Sequence, residues 1–495
     1  INEKFIDHTH STAILKITDR PNGIKICKEL FGKNFLIIPY VMPGFLLAKK
    51  IYEIYQSSMK IHGMILHKHG IFTFGDNAEE SFKRMIKAVT TAENYLKNQK
   101  VYKIKKIKKT NNRFDPLLIA PLIKSHLCKN ENYILNFRCN QDLLDAINSE
   151  DIKKFLSKGV VTPDHVIRTK PFPLILNFDK CKNLDVLKKK IMQEIMKYKY
   201  NYIKYFKKYN NPKKSFQMLD PIPQIILIQN IGMFSVGRNL NEALINGDVS
   251  EQSIKTIISI EEQSKFESIS RKDIFDVEYW SLEQAKLNKI KKPLSGNVVI
   301  ITGGAGTIGA STAKKFRENG AEVVLIDKDK KKLKNIAENK LYDFYSCDVS
   351  NRSDFKKVID DITATYGGIN IVISNAGSAY QSPIADISDS EIKKSFEINF
   401  FSHQIVASEC VKLMKEQNLG GCLLFNISKQ SVNPGKHFGA YGTSKAALLA
   451  LCKQYALEYG KYGIRSNGVN ADRIKSGLLT DKLIDERARA RGISI

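Results

Sequence analysis

The second half of the chain predicts a doubly wound parallel α/β sheet, and the first half predicts a pair of α/β units of which the second is a degenerate copy. Three observations carry this expectation. Downstream of about residue 290 the apolar runs VVIIT (298–302), AEVVLID (321–327) and INIVIS (369–374) alternate with helical stretches, and buried strands with helical crossovers form a parallel sheet covered on both faces. The first run leads into TGGAGTIGAST (302–312), a glycine-rich bend placed between strand and helix. Upstream, HKHGIFTFGDN (67–77) and QNIGMFSVGRN (229–239) carry Gly, Phe, Gly and Asn at the same spacing, with the histidines present only in the first.

At about 150 residues per domain, a chain of 495 residues admits three. The expected divisions are 1–110, 111–290 and 291–495, the last beginning at the change of texture around KIKKPLSGN (289–297). Hydrophobic content of 43% and charged content of 26% are those of a folded soluble chain and argue against disorder and against a membrane protein. The longest apolar run, FLIIPYVMPGFLLA (35–48), is broken by Pro39, Pro43 and Gly44 and falls short of the ~20 residues of a spanning helix, so it predicts a strand, a turn and a helix start.

A net charge of +27 would support nucleic-acid binding if the lysines shared one surface, but they are spread along the chain. The basic runs KVYKIKKIKK (100–109) and KYKYNYIKYFKKYNNPKK (197–214) read as amphipathic surface helices, and no nucleic-acid or membrane partner is expected. Tight, salt-sensitive duplex binding would mark the opposite case. Eight cysteines without a C-x-x-C pair read as reduced, mostly buried thiols of a cytoplasmic protein. The chain starts at Ile1 without a methionine and reads as a fragment, which leaves targeting open.

In the glycine bend, Gly303, Gly306 and Gly309 let the backbone turn tightly and approach a pyrophosphate, whose charge then rests on the helix N-terminus; Thr307 and Ile308 complete the bend. Thr307 stands where the commoner pattern has a glycine. Asp327 closes the next strand, where a carboxylate takes both ribose hydroxyls, so NAD is expected over NADP, although Lys328 follows it. Further on lie Asp348 and Val349 in CDV, Asn375, Ala376 and Gly377 in NAG, Asn399 in EINF, Ser428 in FNISKQS, and Tyr441 and Lys445 in YGTSK. Residues four apart share a helix face, so Tyr441 and Lys445 project into one site. An ammonium there would lower the tyrosine pKa toward working pH and make it a usable acid/base.

Taken in order, these residues resemble the short-chain dehydrogenase/reductase family, over about 295–495. The resemblance implies a Rossmann-like domain in which Tyr441 is the catalytic acid/base, Lys445 also binds the nicotinamide ribose, Ser428 holds the substrate oxygen and Asn399 anchors a proton-relay water. It further implies that Asp348 contacts adenine and that Asn375 to Gly377 line the cofactor strand. VNADRIKSG (469–477) departs from the family's Pro-Gly, which puts cofactor contacts there in doubt, and the chain stops short of the family's usual length.

In the first half, FIDHTHSTAIL (5–15) predicts a strand, where alternate side chains point the same way, so that His8 and His10 form a two-toothed clamp. His69, before Gly70, is the third candidate, and His67 could compete with it. This arrangement resembles the class II aldolase/adducin-like family, which implies that His8, His10 and His69 hold a divalent cation, expected to be zinc, with positions left open for substrate. The cation would act as a Lewis acid on the enediolate formed when a carbon–carbon bond beside a ketone breaks. The family's general acid/base lies upstream of the paired histidines and is expected to precede Ile1, so residues 1–495 alone are not expected to turn over as an aldolase.

In the second copy Ile231 replaces His69, and PDHVIRT (163–169) is read as aligning His165 with His8 and Ile167 with His10, which makes it a degenerate aldolase-like unit unless the short match is chance. The order of parts resembles the fusion family of class II aldolases with short-chain dehydrogenases, of the rhamnulose-1-phosphate aldolase and lactaldehyde dehydrogenase type. That implies retro-aldol cleavage of a deoxyketose 1-phosphate and hydride transfer between NAD and the aldehyde, in a homo-oligomer whose partners are small sugar phosphates and aldehydes. The alternative is a dehydrogenase whose aldolase-like half is a non-catalytic assembly module.

Overall fold

The computed structural model describes residues 3–55, 60–108, 114–211, 216–285, 291–338, 342–472, 474, 484–485 and 488–489. In chain order the strands are β1 (Phe5–Thr9), β2 (Phe35–Ile38), β3 (Gly63–Leu66), β4 (Gly70–Gly75), β5 (Ile134–Arg138), β6 (Leu174–Leu176), β7 (Ile225–Ile228), β8 (Gly232–Gly237), β9 (Val298–Thr302), β10 (Glu322–Asp327), β11 (Asp343–Ser346), β12 (Ile371–Ser374), β13 (Gly421–Asn426) and β14 (Ile464–Val469). The chain divides into two compact units. Residues 1–113, 138–236 and 244–289 form the first, and 114–137, 237–243 and 290–495 the second.

In the first unit β1 pairs antiparallel with β4, β4 antiparallel with β3, and β3 parallel with β2. The helix Ala78–Lys97 follows β4 and contributes Met85, Ala88 and Ala92 to a core shared with Ile14, Ile17, Ile65 and Ile71. As expected, FLIIPYVMPGFLLA gives β2, a turn and the helix Phe45–Ile54. The same arrangement recurs later in the chain. β7 pairs parallel with β6 and antiparallel with β8, and the helix Leu240–Glu261 follows.

Three details identify the second set as a copy. Lys68 and Asn230 occupy the left-handed region at φ 60° and 64°, at matching places in the two loops. Asn77 and Asn239 accept the backbone N–H groups of Glu80 (2.9 Å) and Glu242 (2.8 Å). Those glutamates reach back to the N–H groups of Asp76 (2.9 Å) and Arg238 (3.1 Å), so both helices start with a reciprocal cap.

The expected match of PDHVIRT with the first histidine pair is corrected here. Residues Pro163–His165 form a 3₁₀ turn and Val166–Thr169 a short helix, not a strand. Their apolar side chains Val166 and Ile167 are drawn into a core with Ile274 and Val277 instead of alternating along a sheet. The counterpart of β1 is β5, because each five-residue strand is followed, after two residues, by a helix, Thr12–Thr18 or Gln141–Ile147. This equates His8 with Phe137 and His10 with Cys139.

The basic runs divide. Residues 184–209 form one helix that turns Tyr198, Tyr202 and Tyr205 inward, as expected over 197–209; 210–211 are not helical, and 212–214 of the expected run lie outside the described residues. Residues 101–108 are not helical; they carry an isolated bridge between Lys106 and Ser149 and backbone hydrogen bonds to Glu262, Asn148 and Glu150. Part of the departing segment, Arg473 and 475–477, lies outside the described residues, as do the expected division points 110/111 and 290. Seven of the eight cysteines are buried or half-buried, and Cys139 is exposed. Among the described residues no helix is long and apolar enough to cross a membrane.

The second unit contains a six-stranded sheet in the order β11-β10-β9-β12-β13-β14, every pairing parallel. All five residues of β9 are buried, as a strand covered on both faces requires. Strand order reverses between β9 and β12, and ligands of such sheets bind at the carboxyl ends of the strands beside that switch point.

Candidate active sites in the two units

In the second unit the switch point opens into a cleft of about 390 Å³, lined by the glycine bend, Asp327, Asp348, Asn375 to Gly377, Tyr441 and Lys445. Gly303 has φ +64°, and a Cβ on Gly309 would lie 2.3 Å from the Gly303 carbonyl, so the helix Thr307–Glu318 approaches the strand end only as glycine permits. No side chain caps that helix, whose first N–H groups are left for a ligand. One Asp327 oxygen accepts from the N–H of Ala305 (3.1 Å) and the other from Asp329 (3.1 Å), tying the end of β10 to the bend. Asp348 accepts from the N–H and hydroxyl of Ser350, which hold its carboxyl below the usual range.

Asn375 has its amide fully engaged. It donates to the carbonyls of Thr302 (3.1 Å) and Gly303 (3.3 Å) and accepts from Asn426 (2.9 Å), so it pins three strand ends together at the cleft. Asn399 sits in a wide π-helical turn, Glu397–Phe401, fully buried, donating to the Ser378 carbonyl (2.7 Å) and accepting from the Ser378 N–H (3.1 Å).

Tyr441 and Lys445 lie one turn apart on the helix Gly439–Tyr459, with the ammonium 5.8 Å from the phenol ring centroid. The expected electrostatics differ. Burial pushes the Tyr441 phenol up, and the Ser428 hydroxyl bonded to it pulls it down. Lys445 is itself buried, which depresses its amine to about 7, and it donates to the Asn426 carbonyl (2.9 Å). No motif marked Asn426, which from the end of β13 serves as acceptor for Lys445 and donor to Asn375.

In the first unit His8, His10 and His69 converge, with ligand atoms all within 4.8 Å of one another. His8 Nδ1 lies 3.0 Å from the Ile71 carbonyl, which can only accept; this places the proton on Nδ1 and leaves the Nε2 lone pair facing the cluster, 3.1 Å from His10 Nε2. His69 is buried and its imidazole is pushed down to about 4 by burial. It therefore stays neutral at physiological pH, and its Nδ1 is buried with no hydrogen-bond partner. Three converging imidazoles fit a divalent cation. His67 does not join them: Lys68, in the left-handed conformation, turns the chain between the two, and His67 lies toward the Thr18 backbone. Sequence reading passed over Asp164, whose carboxylate stands 3.6 Å from His10 Nε2 and 4.0 Å from His69 Nε2.

The fold and sites together define a pair of class II aldolase repeats followed by a short-chain dehydrogenase domain, and the family matches agree. "Class II Aldolase and Adducin N-terminal domain" matches residues 2–96, "Aldolase class II, second domain" matches 116–287, and "short chain dehydrogenase" matches 297–487. An uncharacterized oxidoreductase of Bacillus subtilis, YuxG, is 30% identical over 99% of this chain and 74% of its own. Short chain aldehyde dehydrogenase 1 of Euphorbia lathyris is 37% identical over 36% of this chain and 64% of its own. A short-chain type dehydrogenase/reductase from Mycobacterium marinum, of known structure, is 28% identical, covering 40% of this chain and 80% of that one at a TM-score of 0.38. The chain belongs to the family of class II aldolase and short-chain dehydrogenase fusions. Its dehydrogenase fold implies an NAD(P) cofactor and its aldolase fold a divalent metal.

Proposed function

We propose that the chain is a bifunctional sugar-catabolic enzyme. Its first half cleaves a deoxyketose 1-phosphate of the rhamnulose-1-phosphate kind into dihydroxyacetone phosphate and an aldehyde. Its second half transfers hydride between NAD and that aldehyde or a related alcohol. The observation that carries the reading is the meeting of His8, His10 and His69 in a chain that also sets Tyr441 beside Ser428 at the switch-point cleft. The three-part division 1–110, 111–290 and 291–495, a cytoplasmic location and a homo-oligomeric state belong to the same proposal.

In the first half, His8, His10 and His69 would hold zinc, which when bound supplies Lewis-acid polarisation of the substrate's ketone and hydroxyl oxygens. The Ile71 carbonyl fixes the tautomer of His8, and burial keeps His69 unprotonated. In the second half, Tyr441 would exchange a proton with the reacting oxygen, and Ser428 would hold that oxygen by hydrogen bond. The raised phenol pKa favours Tyr441 as the proton donor in carbonyl reduction. Lys445 and Asn375 keep the strand ends in place around the nicotinamide ribose, Asp327 takes the adenosine ribose, and the bend at Gly303 to Gly309 takes the pyrophosphate.

The test is a coupled assay of the full-length protein with deoxyketose 1-phosphates, NAD and zinc, following NADH. Signal that requires both the sugar phosphate and the metal supports the reading. Hydride transfer to aldehydes that persists with no sugar phosphate cleaved under any metal would leave only the dehydrogenase.

A further inference from the structure

We propose that Asp164, carried by the second repeat, is the fourth protein donor of the cation site built by His8, His10 and His69 of the first. The inference rests on reading those three imidazoles as metal ligands. Its own support is geometric. Donors at the corners of a tetrahedron with metal–ligand distances of ~2.0–2.1 Å lie ~3.3–3.4 Å apart. His8 Nε2 and His10 Nε2 are 3.1 Å apart, His10 Nε2 and Asp164 Oδ2 3.6 Å, and His69 Nε2 and Asp164 Oδ2 4.0 Å. These three spacings lie near those edges, the three histidine ligand atoms fall within 4.8 Å of one another, and one carboxylate oxygen approaches two of the three imidazoles.

The placement of Asp164 is built into the fold. It occupies the middle of the 3₁₀ turn Pro163–His165, whose following residues Val166 and Ile167 are anchored in the core with Ile274 and Val277. Behind it, His165 Nδ1 meets the Ser253 hydroxyl at 3.0 Å on the helix Leu240–Glu261. The His165 ring, 6.3 Å from that of His10, is a neighbour of the cluster rather than a member of it.

Three neutral imidazoles and one carboxylate leave a divalent site with a single positive charge. With a cation held by the three histidines, Asp164 would be the protein group nearest to compete with a substrate oxygen for it.

The experiment compares the full-length protein with its Asp164→Asn, Asp164→Glu and His10→Ala forms, using zinc in competition with a chromophoric chelator and cobalt(II) absorption in the visible. Asp164→Asn is expected to weaken zinc at least about tenfold, to alter the cobalt spectrum and to shrink the zinc-induced rise in unfolding temperature, while metal-free unfolding stays near that of the parent. Asp164→Glu is expected to recover part of the affinity, and His10→Ala to lose more than Asp164→Asn. Zinc affinity and cobalt spectrum unchanged in Asp164→Asn, with His10→Ala impaired, would overturn the role of Asp164 and leave the three-histidine site standing. Failure of the parent protein to bind either metal would remove the site itself.

Discussion

The two aldolase repeats follow one plan to different ends. Each has a parallel strand pair, a tight loop with one residue in the left-handed region, an antiparallel return strand and a helix opened by an Asn and Glu cap. In the first repeat the loop presents His69 to His8 and His10; in the second the same place holds Ile231, buried with Phe234 and Met233. Residues that fix backbone geometry were kept in both because the sheet cannot turn without them, whereas ligand residues serve only where three of them meet. The second repeat also buries a different polar group. Glu278 accepts from the Tyr202 hydroxyl at 2.6 Å, and burial pushes its carboxyl up to about 7.

The largest expected effect comes from making the first loop like the second. His69→Ile should reduce bound zinc from about one equivalent to roughly a tenth of that, by elemental analysis, and abolish retro-aldol turnover. Full zinc retention would break the contrast between the repeats. The reciprocal change in the other unit, Tyr441→Phe, should lower hydride transfer by ~10²–10⁴ while zinc content holds.

A pH effect belongs to the second repeat. Because the folded pKa of Glu278 is raised above its unfolded value, the native state binds the extra proton between about pH 4.5 and 7, so stability present below 4.5 is lost as pH rises through 7. Glu278→Gln should flatten that decline in denaturant midpoints measured across the window; an unchanged slope would show that the carboxyl is not protonated on burial.

Smaller still, Ile231→His should add no second equivalent of metal, since Phe137 offers no donor and a histidine with the Cys139 thiol would make only two, and should cost ~1–3 kcal/mol for burying an unsatisfied imidazole. A second bound zinc would mean the copy is less degenerate than its sequence. The smallest and most symmetrical pair is Asn77→Ala and Asn239→Ala. Each should cost ~1 kcal/mol in equilibrium unfolding, and a large inequality would show that the two caps no longer do the same work.

Legibility followed the range of the interactions. Gly303 to Gly309, Asp327 and the Tyr441–Lys445 spacing were readable because each depends on a backbone bend or one helical turn. The His8–His10 pair was readable for the same reason, since neighbours two apart on a strand share a side. The alignment of His165 with His8 failed because seven residues of similar lettering carried no information about whether they would pair in a sheet or coil into a turn. The lowered phenol pKa expected beside Lys445 failed because burial of both the phenol and the amine depends on how the packed chain encloses them. Asp164 was invisible as a donor because nothing near residue 164 says that it will face residue 10.

By itself, then, the sequence determined the α/β class, the doubly wound order of the second half, the repeated aldolase-like loop and the residue types able to bind a dinucleotide and a cation. These follow from periodicity, glycine freedom and fixed spacing, all of which act within a few residues. Only the tertiary structure decided which strand is the copy of β1, which amine is depressed by burial and which carboxylate faces the histidines. Burial and long-range approach set those outcomes, and both are properties of the packed chain rather than of any segment of it.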